Sequence, residues 1–97
     1  MTRPVRLSSS LADDIDAQLD EPRTADFWTH DVVAAVALLS KPELWDSLPV
    51  HGGGRRLTVA GITVGAFHLF VARDELDARP DALVVYAIDI WPDGFPD

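Results

Sequence analysis

Ninety-seven residues, 47% of them hydrophobic, can bury the core of one small domain and are too apolar for gross disorder. The absence of cysteine excludes disulfides and thiolate metal sites, and no apolar run of membrane length or secretory segment comes after Met1, so the expectation is a complete, soluble, cytoplasmic chain. Sixteen acids against eight cations give a net charge of −8, a field that repels phosphate backbones and disfavours direct nucleic-acid binding unless the few arginines converge.

Residues Pro4–Leu7 read as a short first strand, with Val5 and Leu7 on one parity and an early proline that suits a strand start. Ser8, Ser9 and Ser10 can cap a helix, and Ser10 with Asp13 resembles a capping box. That first helix is expected over about Leu11–Leu19, where Leu11, Ile15 and Leu19 form one stripe at i, i+4, i+8. Asp13, Asp14 and Asp16 lie in its first turns and match the positive end of the helix dipole better than they match a metal site. Asp20–Arg23 contains Pro22 and reads as a connector. Thr24 or Asp26 then caps a second helix to about Ser40, with Phe27 or Trp28, Val32, Ala35, Val36 and Leu39 on its buried face. A short link between two helices predicts an antiparallel pair. Pro42 ends that helix and opens one more turn, whose Leu44 and Trp45, with Leu48, cover an end of the core.

His51-Gly52-Gly53-Gly54-Arg55-Arg56 reads as a flexible linker; the P-loop pattern is absent, and a strand comes next where a helix should begin. Most of the core must come from Leu57–Trp91. Leu57–Arg73 should break into two strands near Gly61 or Gly65, because the apolar parity changes from Ile62 and Val64 to Phe67, Leu69 and Val71; a bulge or bend at Gly65 is the expectation. Leu83–Ile90 is apolar on both parities, which predicts a central strand covered on both faces. Pro92, Gly94 and Pro96 end the sheet. The expected fold is α+β, an N-terminal strand and helical hairpin packed on an antiparallel sheet of three to four strands, in a single domain.

Among candidate functional groups, His30, His51 and His68 are not spaced as metal ligands, so no metal or cofactor is expected. Ser8–Ser10 lack the nucleophile elbow of a hydrolase and are ordinary caps. His68 lies in the central strand region, where it is either an acid–base group in a groove or a hydrogen-bonded histidine on a sheet face. Tyr86, on the neighbouring strand, is weighed in the same way against core packing. Trp91 beside Phe95, in the irregular tail Trp91–Pro96, suggests a protein-binding contact.

Several phrases resemble the RelE/ParE superfamily of toxins from type II toxin–antitoxin pairs. They are Val5-Arg6-Leu7-Ser8 before the first helix, Val36-Ala37-Leu38-Leu39-Ser40-Lys41-Pro42 at the end of the second, and Val64-Gly65-Ala66-Phe67-His68-Leu69-Phe70-Val71 with Leu83–Ile88 in the sheet. The resemblance spans nearly the whole chain and keeps the order strand, helix, helix, then an antiparallel run of three strands. It implies a bacterial growth-arrest toxin whose partner is a cognate antitoxin and whose target is DNA gyrase or the ribosome with its mRNA. The departures bear on which. His68 stands where the family often has arginine, Val71 where a tyrosine is common, and Ile88-Asp89-Ile90-Trp91-Pro92 where a histidine and basic residues usually close the strand. Cleaving RNA needs cations at the reacting phosphate, so the departures favour binding over cutting, with Arg55, Arg56, Trp91 and Phe95 as target-contacting candidates. A residual metal-independent ribonuclease would have to use His68, Arg73 and Tyr86, with Arg55 and Arg56, in one groove. The other alternative is an acidic inhibitor or immunity-type protein that occupies a basic surface, recognisable by acids clustered on one exposed face.

Overall fold

The chain opens with β1 (Val5–Leu7) and turns at Ser8–Ser10 into α1 (Leu11–Gln18). The fold is that of a computed structural model that describes residues 3–95. Leu11 and Ile15 are fully buried, and Leu19 completes their stripe. Ser10 occupies the N-cap position, but its side chain makes no cap bond. Its hydroxyl instead lies 3.2 Å from that of Ser8, so the expected capping box is not formed.

The second helix starts earlier than its sequence suggests. Segments α2 (Glu21–Asp26), a π-helical turn (Phe27–Val32) and α3 (Val33–Leu39) run on from one another without a break. Pro22 lies in the first turn, where a missing N–H removes no helical bond, so Asp20–Arg23 is a helix start and not a connector. The wide π turn puts Phe27, Asp31 and Val32 on the buried side, and Ala35 and Leu39 continue it. A 3-10 helix (Pro42–Ser47) then leads into the sheet.

The glycine run is a hairpin. His51 pairs with Gly54 across a two-residue turn, and Gly52 takes a left-handed φ of +57° that a side chain would resist. This turn creates β2 (Val50–His51) and starts β3 (Gly54–Ala60), so the expected linker is structured and the sheet has five strands. Gly54 is required for another reason: a Cβ there would lie 2.1 Å from the Val71 carbonyl oxygen.

After β3 come β4 (Ala66–Arg73) and β5 (Leu83–Trp91), and the strand order is β1-β5-β4-β3-β2. All pairings are antiparallel except β1 with β5, which is parallel. The break between β3 and β4 falls at residues 61–65, as the parity change indicates. Gly65 lies in a bend, one of the two forms expected there, and the sheet's one register shift among the described residues lies elsewhere. Phe70 pairs with Ala87 and Val71 with Val85, which leaves Tyr86 as the extra residue on β5. This bulge also explains why β5 is apolar on both parities. Leu83 and Val85 face the helices before it, and Ile88 and Ile90 face them after it. The strand is therefore interior to the sheet but covered on one face only.

One hydrophobic cluster joins these residues to Phe67, Leu69 and Val71 of β4 and to Leu57 of β3. Phe27 meets Phe67 edge-to-face at 5.0 Å. The Cα radius of gyration, 13.1 Å, matches the roughly 13 Å of a compact chain of this length. Among the described residues no helix is long and apolar enough to cross a membrane.

Candidate functional site

All the helical segments lie on one side of the sheet, so the other face is open. Strand alternation assigns its residues. Arg56 and Thr58 of β3 register with Phe70 and His68 of β4, and His68 registers with Asp89 of β5. His51 of β2 joins the same face, its ring 4.5 Å from that of Phe70. The tail completes it. Gly94 N–H donates to the Trp91 carbonyl at 3.0 Å, and the turn this closes returns Phe95 over the sheet. Phe95 stacks on His68 at 4.6 Å and meets Trp91 edge-on at 5.5 Å. The result is a continuous band of rings, His51–Phe70–His68–Phe95–Trp91, running across the open face. Trp91 and Phe95 remain 37% and 38% exposed, which is high for rings in mutual contact. Pro96, the last residue of the expected contact segment, lies outside the described residues.

His68 is the histidine of a sheet face. Its Nδ1 lies 2.9 Å from the Thr58 hydroxyl. Its pKa is held below the ordinary imidazole value, first by burial and then by the positive charge of Arg56. The imidazole is therefore neutral at pH 7. Asp89, across from it, accepts a hydrogen bond from the Trp91 indole at 2.9 Å.

The remaining candidates are dispersed. Arg73 lies five residues along β4 from His68, on the opposite parity and roughly 16 Å away along the strand. Its guanidinium donates to the Pro80 carbonyl. Tyr86 is the bulged residue and is exposed, so it does not pack in the core. Arg55 and Arg56 point to opposite faces. Arg55 stacks 5.2 Å over Trp45 and donates to the carbonyls of Asp46 and Leu48, so it fastens the 3-10 helix to β3. Arg56 alone of the pair reaches the open face. The structure thus unites Arg56, His68, Trp91 and Phe95 on the open face, to which the bulged Tyr86 also belongs by parity, and leaves Arg55 and Arg73 on the other parity.

Three further groups fix this face, and sequence reasoning passes them over. The Asp31 carboxylate, 2% exposed, accepts from the backbone N–H of Ile62 at 2.8 Å, Thr63 at 3.1 Å and Val64 at 3.3 Å. It staples the β3–β4 turn to the helix, and Arg23 adds a bond to the Thr63 carbonyl at 3.2 Å. That turn in turn seats the tail, because Gly65 N–H donates to the Pro92 carbonyl at 2.8 Å. An acid spaced i+4 from Phe27 on an otherwise apolar helix face is the signal that could have found Asp31. Gln18 is the second group. Its amide donates to the Ile88 carbonyl at 3.1 Å and accepts from Ile90 N–H at 2.7 Å, occupying the β5 edge beyond the end of β1. The third is Asp74, buried at the end of β4, which Arg6 grips with two bonds of 2.8 and 2.9 Å. That pairing holds the Asp74 carboxyl below the usual carboxylate range.

The helical layer has a different character. Asp13, Asp16, Asp20, Glu21 and Asp26 are all exposed along it, and the one cation among them, Arg23, is turned to Thr63. A cleft of about 460 Å³ lies at the junction of α1 and α2, lined by Asp16, Leu19, Glu21, Thr24 and Ala25, on the side away from the ring band. Among the described residues no group of three histidine or acidic side chains is placed to hold a metal ion. No protein-family model matches the sequence, and no curated protein or solved structure matches it either.

Proposed function

We propose that this chain is the toxin component of a type II toxin–antitoxin pair, acting in the bacterial cytoplasm by binding its target and not by cutting RNA. The reading rests on the resemblance to RelE/ParE toxins, whose element order the fold keeps: a strand, a helical layer, then a run of antiparallel strands. One observation favours binding over cutting. The groups a phosphodiester cleavage would recruit are separated, with Arg73 and Arg55 committed to backbone carbonyls and His68 neutral beneath Phe95. What stands on the open face instead is an exposed aromatic band with one arginine, the composition of a protein-contact surface. The test is expression of the chain alone, which should arrest growth, and co-expression with the adjacent small gene, which should relieve arrest and yield a tight complex. A harmless monomer that captures no neighbouring product would overturn the reading.

A second reading has its own observation. The helical layer exposes Asp13, Asp16, Asp20, Glu21 and Asp26, and Asp16 and Glu21 line one cleft, as an inhibitor that occupies a basic surface could use. On that reading, partner affinity falls steeply with salt and depends on Asp16 and Glu21. A salt-independent complex, indifferent to both carboxylates, would exclude it.

A further inference from the structure

The edge of the sheet at β3 is open along the second half of that strand. Arg56 N–H points away from β4 and donates to the Pro49 carbonyl at 3.0 Å, and strand alternation turns the N–H and C=O groups of Thr58 and Ala60 the same way. β2 pairs only with Gly54 and Arg55, and no strand lies outside it. Thr58 and Ala60 are exposed, and among the described residues nothing bonds to their outward backbone groups. Native sheets guard such an edge with lysine, proline or a bulge. Pro49 guards the first half of β3, and the second half has none of these devices. Two strongly exposed apolar side chains stand beside it, Ile62 at 83% just past the end of β3 and Val50 at 73% on β2.

We propose that this edge pairs with the same edge of a second copy of the chain, antiparallel about a twofold axis at Val59, so that two sheets join into one. Thr58 then lies opposite Ala60 of the other copy, and Ala60 opposite its Thr58. Each such pair exchanges both of its hydrogen bonds, which satisfies the outward N–H and C=O groups of both residues. The two Val59 residues form the non-hydrogen-bonded pair between them, where side chains approach most closely, and Val59 already packs on the core. The ends match as well. The register sets Ile62 opposite the other copy's Arg56, whose outer side is occupied by Pro49 and Val50. β3 stops at Ala60 and turns back to β4, which leaves room for that β2, and Ile62 meets its Pro49 and Val50. Charge agrees with this register. Asp46, exposed beside Arg55, comes to the level of the other copy's Thr63, to which Arg23 donates, so an acid meets a cation at each end. The acidic helix α1 packs on β5, away from the seam, so the net charge of −8 opposes pairing least here. An unrelated extended segment could take the bonds of one copy but would match neither end. The ring band stays uncovered, so the pairing does not depend on the toxin reading; it places two such bands on one continuous sheet.

Sedimentation equilibrium of the full chain over a concentration series, with amide hydrogen exchange followed by NMR, tests the proposal. The mass should rise from that of one chain, 10.6 kDa, toward twice that value, and fall again on dilution because the seam is short. The Thr58 and Ala60 amides should gain protection as the dimer fills, while the inward amides of Leu57 and Val59 are protected at every concentration. Ala60→Pro removes one outward donor from an edge strand, where proline is tolerated, and Ile62→Lys puts a charge at both ends of the seam without touching the core. Each should weaken the dimer by about tenfold or more. A chain that stays monomeric at about 1 mM, a dimer whose Thr58 and Ala60 amides exchange freely, or a dimer that Ile62→Lys does not weaken would each overturn the proposal. Growth arrest on expression alone reads the toxin proposal separately. Arrest by a chain that stays monomeric removes this inference and leaves that proposal, and an edge-paired dimer without arrest does the reverse.

Discussion

Replacing Asp31 by alanine removes the staple between the helical layer and the β3–β4 turn. Three backbone N–H groups lose their acceptor together. The Val64 amide is in a buried residue, so its orphaning costs about 1–3 kcal/mol; the Ile62 and Thr63 amides can reach water, and each loses about 0.5–1 kcal/mol. The sum centres on about 3.5 kcal/mol, which for a domain of this size lowers the thermal midpoint by roughly 14–28 °C. Equilibrium unfolding in urea measures it, and the slope should not change if the native state stays compact. Asp31→Asn keeps the shape but offers one oxygen to three donors and turns an NH2 toward them, so it should lose at least half as much. The damage should also reach the open face, because Gly65 in the stapled turn holds Pro92 and so places Phe95 on His68. NMR signals of the Phe95 and His68 rings should shift in the Asp31 variant although Asp31 touches neither. A loss below about 1 kcal/mol would show that water replaces the carboxylate, and the reasoning would fail.

Other consequences are as direct. Gln18→Ala leaves the Ile88 carbonyl and the Ile90 amide without their side-chain partner and should cost about 2 kcal/mol in the same assay. Gly54→Ala drives a methyl into the Val71 carbonyl and should cost at least about 2 kcal/mol, whereas Gly53→Ala meets open space and should stay within about 0.5 kcal/mol. His68 has a folded pKa below its unfolded value, so between the two the native state binds fewer protons. Its contribution to stability is complete above about pH 6.5 and is lost as the pH falls through the folded pKa. Thermal midpoints measured from pH 7 to pH 5 should therefore decline less steeply in His68→Gln than in the wild type.

Much of this architecture is legible in the chain. The stripe of Leu11, Ile15 and Leu19 is a helical period and burial keeps to it; of the second stripe Phe27, Val32, Ala35 and Leu39 are buried and Val36 partly so, with the five-residue step from Phe27 to Val32 taken up by the π turn. The density of branched and aromatic residues after Leu57 announces a sheet, and the parity change at residues 61–65 marks a real turn. Two segments mislead for definite reasons. The glycines at 52–54 suggest flexibility, yet Gly52 and Gly54 serve a left-handed turn and a close approach of backbones. The double parity of β5 suggests burial on both faces, when one bulged residue, Tyr86, exchanges the parities midway. Parity counts cannot separate these two cases without the register of the partner strand. The site is legible in part. Trp91 beside Phe95 stands out, but their meeting with His68 depends on a turn at Gly94 and on a tail seated by Gly65. Nor does the sequence say that Arg55 and Arg56, adjacent in the chain, are divided between two faces. That becomes clear only once β3 is known to begin at Gly54.

The central claim is that the open face binds through its rings and that Arg73 and Tyr86 do not cut. It is tested by inducing two folded variants alone in a bacterial host and monitoring growth. Trp91→Ala with Phe95→Ala strips the exposed end of the ring band, and Arg73→Ala with Tyr86→Phe removes the groups a ribonuclease would need. The account predicts that the first variant loses growth arrest and the second retains it. Arrest that survives the loss of the rings but vanishes with Arg73 and Tyr86 would contradict it.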